Sequence, residues 1–325
     1  MNNIILIGAA GHQGSEYFKL LNKKHKIVAL VDENLALLQE KYHNYDIPFF
    51  RNLDTMDSSI VYDTAVVCVP HYLHKEIALK LVEQNKTVIK EKPLAITSAD
   101  INDYLLAMGK YNNHKLITIV QRSFNPSFIG ARQELPYLGK IYNYQYIYNL
   151  SVSNQTTGWR ADWNKSYGGV LLDMGYHTLD VILTFFSKPL FSTAIMSYCY
   201  KEMQNRQLED SISILIEHEN DISGTVLLNR HNSEKEESFT ILGSEGTLKI
   251  TPQGYTRYDR CGQIRKSMKY SISSDEIKLA MFESYLSLVE DTGFLKRHFE
   301  HHSNIVREIE HIYGRVRYIQ YKLAA

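Results

Sequence analysis

Residues 168–180 carry side-chain types suited to proton transfer. They read GGVLLDMGYHTLD, and if the segment is helical, Asp173, His177 and Asp180 share one face at steps of four and three. Histidine can accept a hydroxyl proton near neutral pH, and a carboxylate can orient it or balance its charge. The alternatives are a core histidine on an ordinary amphipathic helix and, more weakly, a metal site. No second ligand cluster completes such a site, so no metal is expected.

A second stretch places a lysine at the end of a predicted buried strand. The apolar residues 87–89 (TVI) are followed at once by Lys90-Glu91-Lys92-Pro93. In an open parallel sheet the last residues of a strand face the ligand crevice, so Lys92 could hold or polarise a substrate oxygen. Pro93 fixes its own φ and favours extended geometry at Lys92, which makes the turn stiff. The alternative is a solvated charge cluster in a loop.

A glycine turn lies between the first predicted strand and the first predicted helix. Gly8, Gly11 and Gly14 follow residues 4–7 and have the spacing G-x-x-G-x-x-G. Glycine lets the backbone approach a pyrophosphate, and the helix N-terminus adds free N–H groups and the positive end of a dipole. The commoner dinucleotide spacing is G-x-G-x-x-G, and a plain tight turn would give the same pattern.

Asp32 ends the strand that follows this helix. A carboxylate about 20 residues beyond a glycine turn can accept hydrogen bonds from the adenosine ribose hydroxyls. Its charge repels a 2′-phosphate, which predicts NAD rather than NADP as the cofactor. The alternative for Asp32 is a helix-cap or turn aspartate.

The order of elements predicts two domains. Strands alternate with helices over about 120 residues, which is typical of a doubly wound parallel sheet. Later strands follow one another without helices, which indicates an antiparallel sheet. We therefore expect an α/β chain, with a Rossmann domain at 1–121 and an α+β domain at 122–325 that has an open, mainly antiparallel sheet. The C-terminal helices could pack back on the first domain. The predicted strands are 4–7, 27–31, 47–50 (an edge strand because of Pro48), 65–69, 87–89, 116–120, 142–150, 194–200, 211–217, 225–229, 238–242 and 247–250, and the main predicted helices are 34–42, 73–83, 98–108, one within 168–186, 275–289 and 303–321.

Composition excludes several classes of partner. Lys plus Arg equals Asp plus Glu, 36 each, so the chain lacks the excess of basic residues that would indicate nucleic-acid binding. No apolar run approaches the ~20 residues needed to span a bilayer, so no membrane partner is expected. Cys68, Cys199 and Cys261 are scattered, and the N-terminus lacks the basic region of a signal peptide. These features predict a cytoplasmic protein.

Taken together, the motifs resemble those of the glucose–fructose oxidoreductase/inositol dehydrogenase (Gfo/Idh/MocA) family over nearly the whole chain. They occur in the family's order: the glycine turn, residues 70–74 (PHYLH), Glu91-Lys92-Pro93, residues 168–180 and residues 243–248 (GSEGTL). The resemblance implies a Lys-Pro bond that is often cis. It places the roles of the family's lysine, aspartate and histidine on Lys92, Asp173 and His177. It also implies a homodimer or homotetramer built on the outer face of the second sheet.

The resemblance extends to further positions, with alternatives at several of them. Family cofactor contacts map onto Ala10, His12, Gln13, Pro70, His74 and Glu91, in addition to the glycines, Asp32 and Lys92. Substrate contacts map onto Arg122 and Arg160. His74 could equally pack at a helix start, Arg122 could be a surface charge, and Trp159 beside Arg160 could anchor the domain junction. Two features depart from the family: the glycine spacing is one residue off, and His71 stands where asparagine is common.

The leading functional interpretation is an NAD(P)-dependent dehydrogenase acting on CH–OH groups, with NAD preferred. Its substrate would carry a secondary hydroxyl on a sugar, a cyclitol or a sugar derivative. Lys92 and His177 would then have to converge on the reactive carbon of the nicotinamide. Two other interpretations remain: an imine or carbonyl reductase on the same scaffold, and a dinucleotide sensor without turnover.

Overall fold

The computed structural model describes residues 2–152 and 157–318. Its elements follow the two predicted patterns, with strands and helices alternating first and mostly consecutive strands later. In the first part these are β1 (Asn3–Ile7), α1 (His12–Leu21), β2 (Lys26–Val31), α2 (Leu35–Tyr42), β3 (Phe49–Phe50), β4 (Thr64–Val67), α3 (His74–Glu83), β5 (Thr87–Glu91), α4 (Ser98–Tyr111) and β6 (Leu116–Ile119). In the remainder they are α5 (Pro126–Arg132), β7 (Ile141–Ser151), α6 (Trp163–Ser166), a π-helical turn (Leu171–Gly175), α7 (Tyr176–Phe185), β8 (Phe191–Ser197), α8 (Lys201–Asn205), β9 (Ser211–His218), β10 (Ile222–Asn229), β11 (His231–Gly243), β12 (Gly246–Thr251), β13 (Gly254–Asp259), β14 (Ile264–Lys269), α9 (Ser274–Leu288), α10 (Thr292–Gly314) and β15 (Arg317–Tyr318).

The chain forms two compact units. Residues up to 119 together with 274–303 form the first unit, and residues 120–273 together with those from 304 onward form the second. The predicted break near Gln121 lies close to the first of these boundaries. The segment 274–303, which contains α9 and the start of α10, belongs to the first unit.

The first unit contains a six-stranded sheet in the order β3-β2-β1-β4-β5-β6, and all of its strand pairs are parallel. The doubly wound prediction is therefore confirmed. The strand order reverses between β1 and β4, which is where ligands bind such sheets, at the carboxyl ends of the strands. β3 follows Pro48 at the sheet edge, as predicted, because proline has no N–H to donate to an inner ladder.

Local capping explains the helix boundaries of this unit. Thr97, rather than the predicted Ser98, caps α4: its side chain accepts from the Asp100 N–H, and Asp100 accepts from the Thr97 N–H in return. The helix ends at Tyr111, three residues beyond the predicted end, and is capped by Asn112, which has a left-handed φ of 48°. Asn85 has a φ of 56° just after α3, as predicted for a residue that ends a helix.

The second unit contains a nine-stranded sheet in the order β14-β13-β12-β11-β7-β10-β9-β8-β15. Among the described strands of this second sheet, only the β7–β10 and β8–β15 pairs are parallel. The prediction of a mainly antiparallel sheet is therefore confirmed. Alternate residues of β9 are buried on one face, as expected for a sheet covered on one side. The cover includes the end of α7, where Phe185 packs edge-on against Phe239 of β11 at a centroid distance of 5.2 Å.

Several elements differ from the sequence prediction. β13 and β14 were not predicted, because every residue of β14 is exposed and the strand shows no apolar alternation. β8 begins at Phe191 rather than residue 194. α10 begins at Thr292 and ends at Gly314, so the predicted helix at 303–321 started late and ran too far; residues 319–321 lie outside the described residues. No helix in the described part of the chain has both the length and the apolar content to cross a bilayer.

Candidate functional site

The glycine turn joins β1 to the N-terminus of α1, and two of its glycines are required by close packing. Gly8 has a φ of +80°, and a Cβ there would lie 2.5 Å from the Cys68 carbonyl oxygen. A Cβ on Gly14 would lie 2.2 Å from the Gly8 carbonyl oxygen. Gly11 precedes α1 without a side-chain cap, so the first N–H groups of the helix keep their capacity for an anion. This geometry fits a pyrophosphate.

Two side chains at the start of α1 were predicted to contact a cofactor. Gln13 is half-buried, and its Oε1 is buried without a hydrogen-bond partner among residues 2–152 and 157–318. A ligand hydroxyl could satisfy this acceptor. The His12 side chain is 83% exposed, and its Nε2 lies 3.3 Å from Glu16 Oε1. His12 can therefore contribute its backbone N–H to the helix end.

Asp32 holds the turn and keeps capacity for a ribose. Its Oδ2 accepts a hydrogen bond from the Ala10 N–H at 3.0 Å, and its Oδ1 accepts one from the Asn34 N–H at 3.0 Å. Each carboxylate oxygen has a second lone pair, so both can still accept from hydroxyl groups. The turn-aspartate interpretation and the ribose interpretation are therefore compatible at this residue.

Two residues of α2 that the sequence did not single out anchor the same turn. Lys41 Nζ donates to the Ala10 carbonyl at 2.6 Å, and the Tyr42 hydroxyl donates to the Ala9 carbonyl at 2.8 Å. Since Asp32 binds the Ala10 N–H, both backbone polar groups of Ala10 are engaged within the protein. Ala10 thus shapes the turn, and its hydrogen-bonding capacity for a cofactor is limited to the second lone pair of its carbonyl.

The segment that follows β4 places two histidines at the carboxyl end of this strand, just after the half-buried Pro70. His71 is 4% exposed, His74 is 3% exposed, and their rings are 5.8 Å apart. The Nε2 of His74 lies 2.9 Å from the Val69 carbonyl. Burial holds the pKa of His74 well below its ordinary value, and the nearby Lys90 and His71 lower it further. His74 is therefore neutral at physiological pH, and its burial fits packing at the start of α3, while its contact with a cofactor stays a prediction.

The end of β5 presents Glu91 and Lys92 in a fixed turn. Lys92 is 9% exposed, and the Lys92–Pro93 bond is cis, as the family resemblance implies. Half-buried Glu91 accepts a hydrogen bond from the Tyr17 hydroxyl of α1. Burial raises the pKa of Glu91, while the Tyr17 hydrogen bond and the Lys92 charge oppose that shift. The alternative of a solvated charge cluster does not apply to Lys92.

In the second unit, Asp173 lies in the π-helical turn and His177 lies in the first turn of α7. Arg230 Nη2 donates to Asp173 Oδ2 at 2.8 Å, and Arg160 Nε donates to the same oxygen at 3.1 Å. The steps of four and three assumed a regular helix, but the π turn is wider, so that register holds only from Tyr176 onward. Single π turns occur frequently at functional sites. His177 is half-buried.

A buried glutamate fixes the start of this segment. Glu209 accepts hydrogen bonds from the Gly169 N–H at 3.1 Å, the Leu171 N–H at 2.8 Å and the Tyr313 hydroxyl at 2.9 Å. A Cβ on Gly169 would lie 2.0 Å from the Glu209 carbonyl oxygen, so this position requires glycine. Gly169 therefore allows the segment before β9 to approach the start of the π turn closely.

Other predicted residues have partners within the second unit. Asp180 is 1% exposed and accepts from the Ser123 hydroxyl at 2.7 Å. Arg122 is not an ordinary surface charge, because it forms a bidentate pair with Glu237, with Nη2 to Oε2 at 2.9 Å, and stacks on Tyr148 at 4.4 Å. The Arg160 side chain is 53% exposed, and its guanidinium lies 4.3 Å from the centre of the Trp159 ring. Arg160 therefore retains donors for a ligand beside Asp173.

Sequence patterns gave little sign of several residues that the structure brings to these sites. Lys90 could have been found by continuing the β5 strand one residue further. Glu209 and Arg230 lie just outside β9 and β10, where no local periodicity marks them. Their importance follows from tertiary contacts that join distant parts of the chain.

Two family models match most of the chain. The model described as the oxidoreductase family with an NAD-binding Rossmann fold matches residues 2–118. The model described as the GFO/IDH/MocA C-terminal domain matches residues 136–249.

Curated relatives and solved structures agree with these models. An oxidoreductase subunit assigned to a UDP-kanosamine synthase of Amycolatopsis mediterranei is 30% identical over 190 residues, which cover 57% of this chain and 52% of that protein, so the chain spans about half the length of that relative. The trans-1,2-dihydrobenzene-1,2-diol dehydrogenase of Sus scrofa is 22% identical over 253 residues, covering 75% and 72%. Levoglucosan dehydrogenase, solved with NADH and levoglucosan, superposes with a TM-score of 0.82 at 17% identity, covering 97% and 96% of the two chains, a likeness that shows the fold.

The glycine turn, the Rossmann strand order and the open second sheet thus occur in a chain that both domain models match. The chain belongs to the Gfo/Idh/MocA family of oxidoreductases, and its first domain is an NAD-binding Rossmann fold.

Proposed function

We propose that the protein is an NAD-dependent dehydrogenase that oxidises a secondary hydroxyl of a sugar, a cyclitol or a sugar derivative. The observation that carries the proposal is Lys92, a 9%-exposed lysine at the carboxyl end of β5. This edge of a doubly wound sheet is where ligands bind, and a rigid turn fixes the lysine there. Lysine is among the residues that are least often buried, so its burial at a ligand-binding edge supports a role in binding.

The proposed reaction breaks the C–H and O–H bonds of a secondary alcohol and forms a carbonyl group. Bound NAD⁺ supplies a nicotinamide ring that accepts the hydride, with both electrons of the C–H bond. Lys92 donates a hydrogen bond to the reacting oxygen as negative charge develops on it. His177 accepts the hydroxyl proton, and Asp173, bound by Arg230 and Arg160, supplies a fixed carboxylate beside the histidine segment.

The cofactor preference rests on Asp32 and the glycine turn. Asp32 has lone pairs for ribose hydroxyls, and its negative charge opposes a 2′-phosphate. The buried acceptor on Gln13 and the helix N-terminus of α1 fit the remainder of the dinucleotide. These observations support NAD over NADP.

The substrate class is supported by the names of similar proteins, which include a levoglucosan dehydrogenase and a dihydrodiol dehydrogenase. The test is NADH formation, followed at 340 nm, with levoglucosan, myo-inositol, a UDP-hexose and trans-1,2-dihydrobenzene-1,2-diol. NADH oxidation with the matching ketones and with imines tests the reverse direction. We expect turnover with at least one polyhydroxylated alcohol. Binding of NADH without turnover in either direction across the set would contradict the proposal.

We further propose that the protein forms a homo-oligomer through the outward face of the second sheet. Leu215 is 58% exposed, Ile195 is 47% exposed and Leu227 is 37% exposed, and all three lie on this face of neighbouring strands. Ser213 pairs with both Ile195 and Leu227, so the apolar residues form one patch.

The three unpaired cysteines fit the reducing cytoplasm, where we expect the protein to act.

A further inference from the structure

Lys90 is a fully buried lysine that the proposed reaction does not use. Its exposed fraction is 0%, and it lies in β5 two residues before Lys92. Burying an ammonium group is costly unless hydrogen bonds replace the water it loses. Its Nζ has three acceptors: the Pro93 carbonyl, the Glu91 carbonyl at 3.2 Å and His74 Nδ1 at 3.1 Å. The three N–H groups of an ammonium match this set.

Two of these acceptors bracket Lys92. The Glu91 carbonyl precedes Lys92 in the chain, and the Pro93 carbonyl follows it. One ammonium group therefore binds the backbone on both sides of the residue proposed to contact the substrate oxygen. Because the two carbonyls share one donor atom, rotation of the Lys92 backbone would break at least one of these hydrogen bonds.

The third acceptor links the turn to β4 and α3. His74 Nδ1 accepts from Lys90, so the proton of the neutral ring resides on Nε2, which donates to the Val69 carbonyl at 2.9 Å. The 3.3 Å contact between Nδ1 and the Pro93 carbonyl is then not a hydrogen bond. Lys90 thereby connects the segments that follow β4 and β5, at the carboxyl ends of neighbouring strands.

We propose that Lys90 is a positioning residue: it holds the Lys92 turn and the His74 tautomer in the arrangement needed for turnover. This inference rests on the function proposed above. It assigns Lys90 no contact with the substrate, since the side chain is sealed from solvent.

The surroundings of Lys90 make its charge sensitive to pH. Burial lowers the pKa of Lys90 to about 7, and the neighbouring Glu91 opposes that shift. Among the described residues, Lys90 also acts on His74 of α3 and His302 of α10, and His71 acts on His74 from the segment before α3. Burial holds the pKa of His302 well below its ordinary value, and His298, His301 and Lys90 add to this. Above neutral pH the Lys90 amine has two hydrogens for three acceptors, so the turn loses one hydrogen bond.

The test compares Lys90→Met with Lys278→Met. Lys278 is also buried, at 5% exposure in the same unit, but it pairs with Glu16 of α1. We expect Lys90→Met to lower kcat by about tenfold or more, as one or two lost charged hydrogen bonds would, while the Kd for NADH changes by less than about threefold. We also expect the wild-type decline in kcat above about pH 7 to be absent from Lys90→Met and retained in Lys278→Met.

Two results would overturn the inference. One is a kcat for Lys90→Met equal to that of the wild type. The other is a lower kcat with an unchanged pH profile, which would give Lys90 a structural role alone. Failure of the proposed function is distinguishable, because it would appear as a wild-type protein without turnover across the substrate set or as full turnover by Lys92→Ala, whatever Lys90→Met does.

A second measurement removes the dependence on that variant. If Lys90→Met does not fold, Lys90→Gln takes its place, since its side chain is one bond shorter than lysine and ends in a neutral amide donor. Independently, ¹⁵Nζ-labelled wild-type lysine reports the ammonium groups by NMR without any substrate. We expect one slowly exchanging signal that titrates near pH 7. A spectrum in which every lysine titrates above about pH 10, the ordinary range, would contradict the hydrogen-bonded, buried Lys90.

Discussion

Arg230 and Arg160 donate to the same oxygen of Asp173, but only Arg230 is buried. The Arg230 Nη2 to Asp173 Oδ2 distance is 2.8 Å, and the Arg230 side chain is 6% exposed against 53% for Arg160. The two arginines therefore bind one carboxylate in different dielectric surroundings. The buried one has the larger energetic role, because solvent screens the other.

This asymmetry predicts unequal effects of removing either guanidinium. Arg230→Met leaves the half-buried Asp173 without its main counter-charge, and we expect a loss of about 2–3 kcal/mol in unfolding free energy. Arg160→Met, the matched control, should cost less than about 1 kcal/mol. Urea denaturation of both variants measures the difference. Equal losses would show that burial does not govern this pair of contacts.

Asp32 is predicted to control cofactor preference. Asp32→Asn removes the negative charge but keeps an oxygen that can accept from the Ala10 N–H. We expect the ratio of NADPH to NADH affinity to rise by about tenfold or more, because a charge repulsion of about 1.4 kcal/mol is removed. Fluorescence titration with the two reduced cofactors measures it. Asp57→Asn, a change at an exposed loop aspartate of the same unit, should leave the ratio unchanged. An unchanged ratio in Asp32→Asn would refute the ribose assignment.

Stability should depend on pH through Lys90. Its folded pKa of about 7 lies below the unfolded value of 10.5, so between these values the unfolded chain binds a proton that the folded chain does not. The Lys90 contribution to stability therefore rises with pH in this window, by at most ~1.4 kcal/mol per pH unit. We expect Tm of the wild type minus Tm of Lys90→Met to increase from pH 7 to about pH 9. A difference that stays flat or falls would contradict the buried, proton-shedding lysine.

The outward sheet face is predicted to carry the oligomer interface. Leu215→Asp places a charge in the centre of the Leu215, Ile195 and Leu227 patch, where burial against a second copy would desolvate it. We expect the oligomer to dissociate to a monomer of 37.6 kDa, measured by light scattering after size exclusion. Leu106→Asp is the control, since Leu106 is 73% exposed on α4 of the other unit. Unchanged mass in Leu215→Asp would place the interface elsewhere.

Local sequence signals were sufficient for the Rossmann half. Its strands are apolar runs bounded by turn residues, and Pro48 marked the edge strand because proline cannot pair on both sides. β14 gave no signal, since an exposed strand has no apolar alternation. For α4, the predicted cap was off by one residue, because Thr97 and Ser98, both able to cap, stand side by side. The predicted C-terminal end of the same helix was off by three residues.

The candidate site was less accessible to sequence reasoning. Lys90, Glu91 and Lys92 form one charged run in the sequence. Only the packing around β5 shows that Lys90 is fully buried, whereas Lys92, just after the strand, is 9% exposed. The π turn around Asp173 follows the close approach of the Gly169 and Glu209 backbones in the structure, and a regular 3.6-residue period anticipates neither feature. Arg230 reaches Asp173 from 57 residues away in the chain.

The most direct test of the account compares Lys92→Ala and His177→Ala with the wild type, using the alcohol identified in the substrate screen. We expect both variants to bind NADH within about threefold of the wild-type Kd, while kcat falls by about a hundredfold or more, the range for loss of a positioned acid or base. Turnover at the wild-type rate in either variant would contradict the proposed roles of these two residues in hydride transfer.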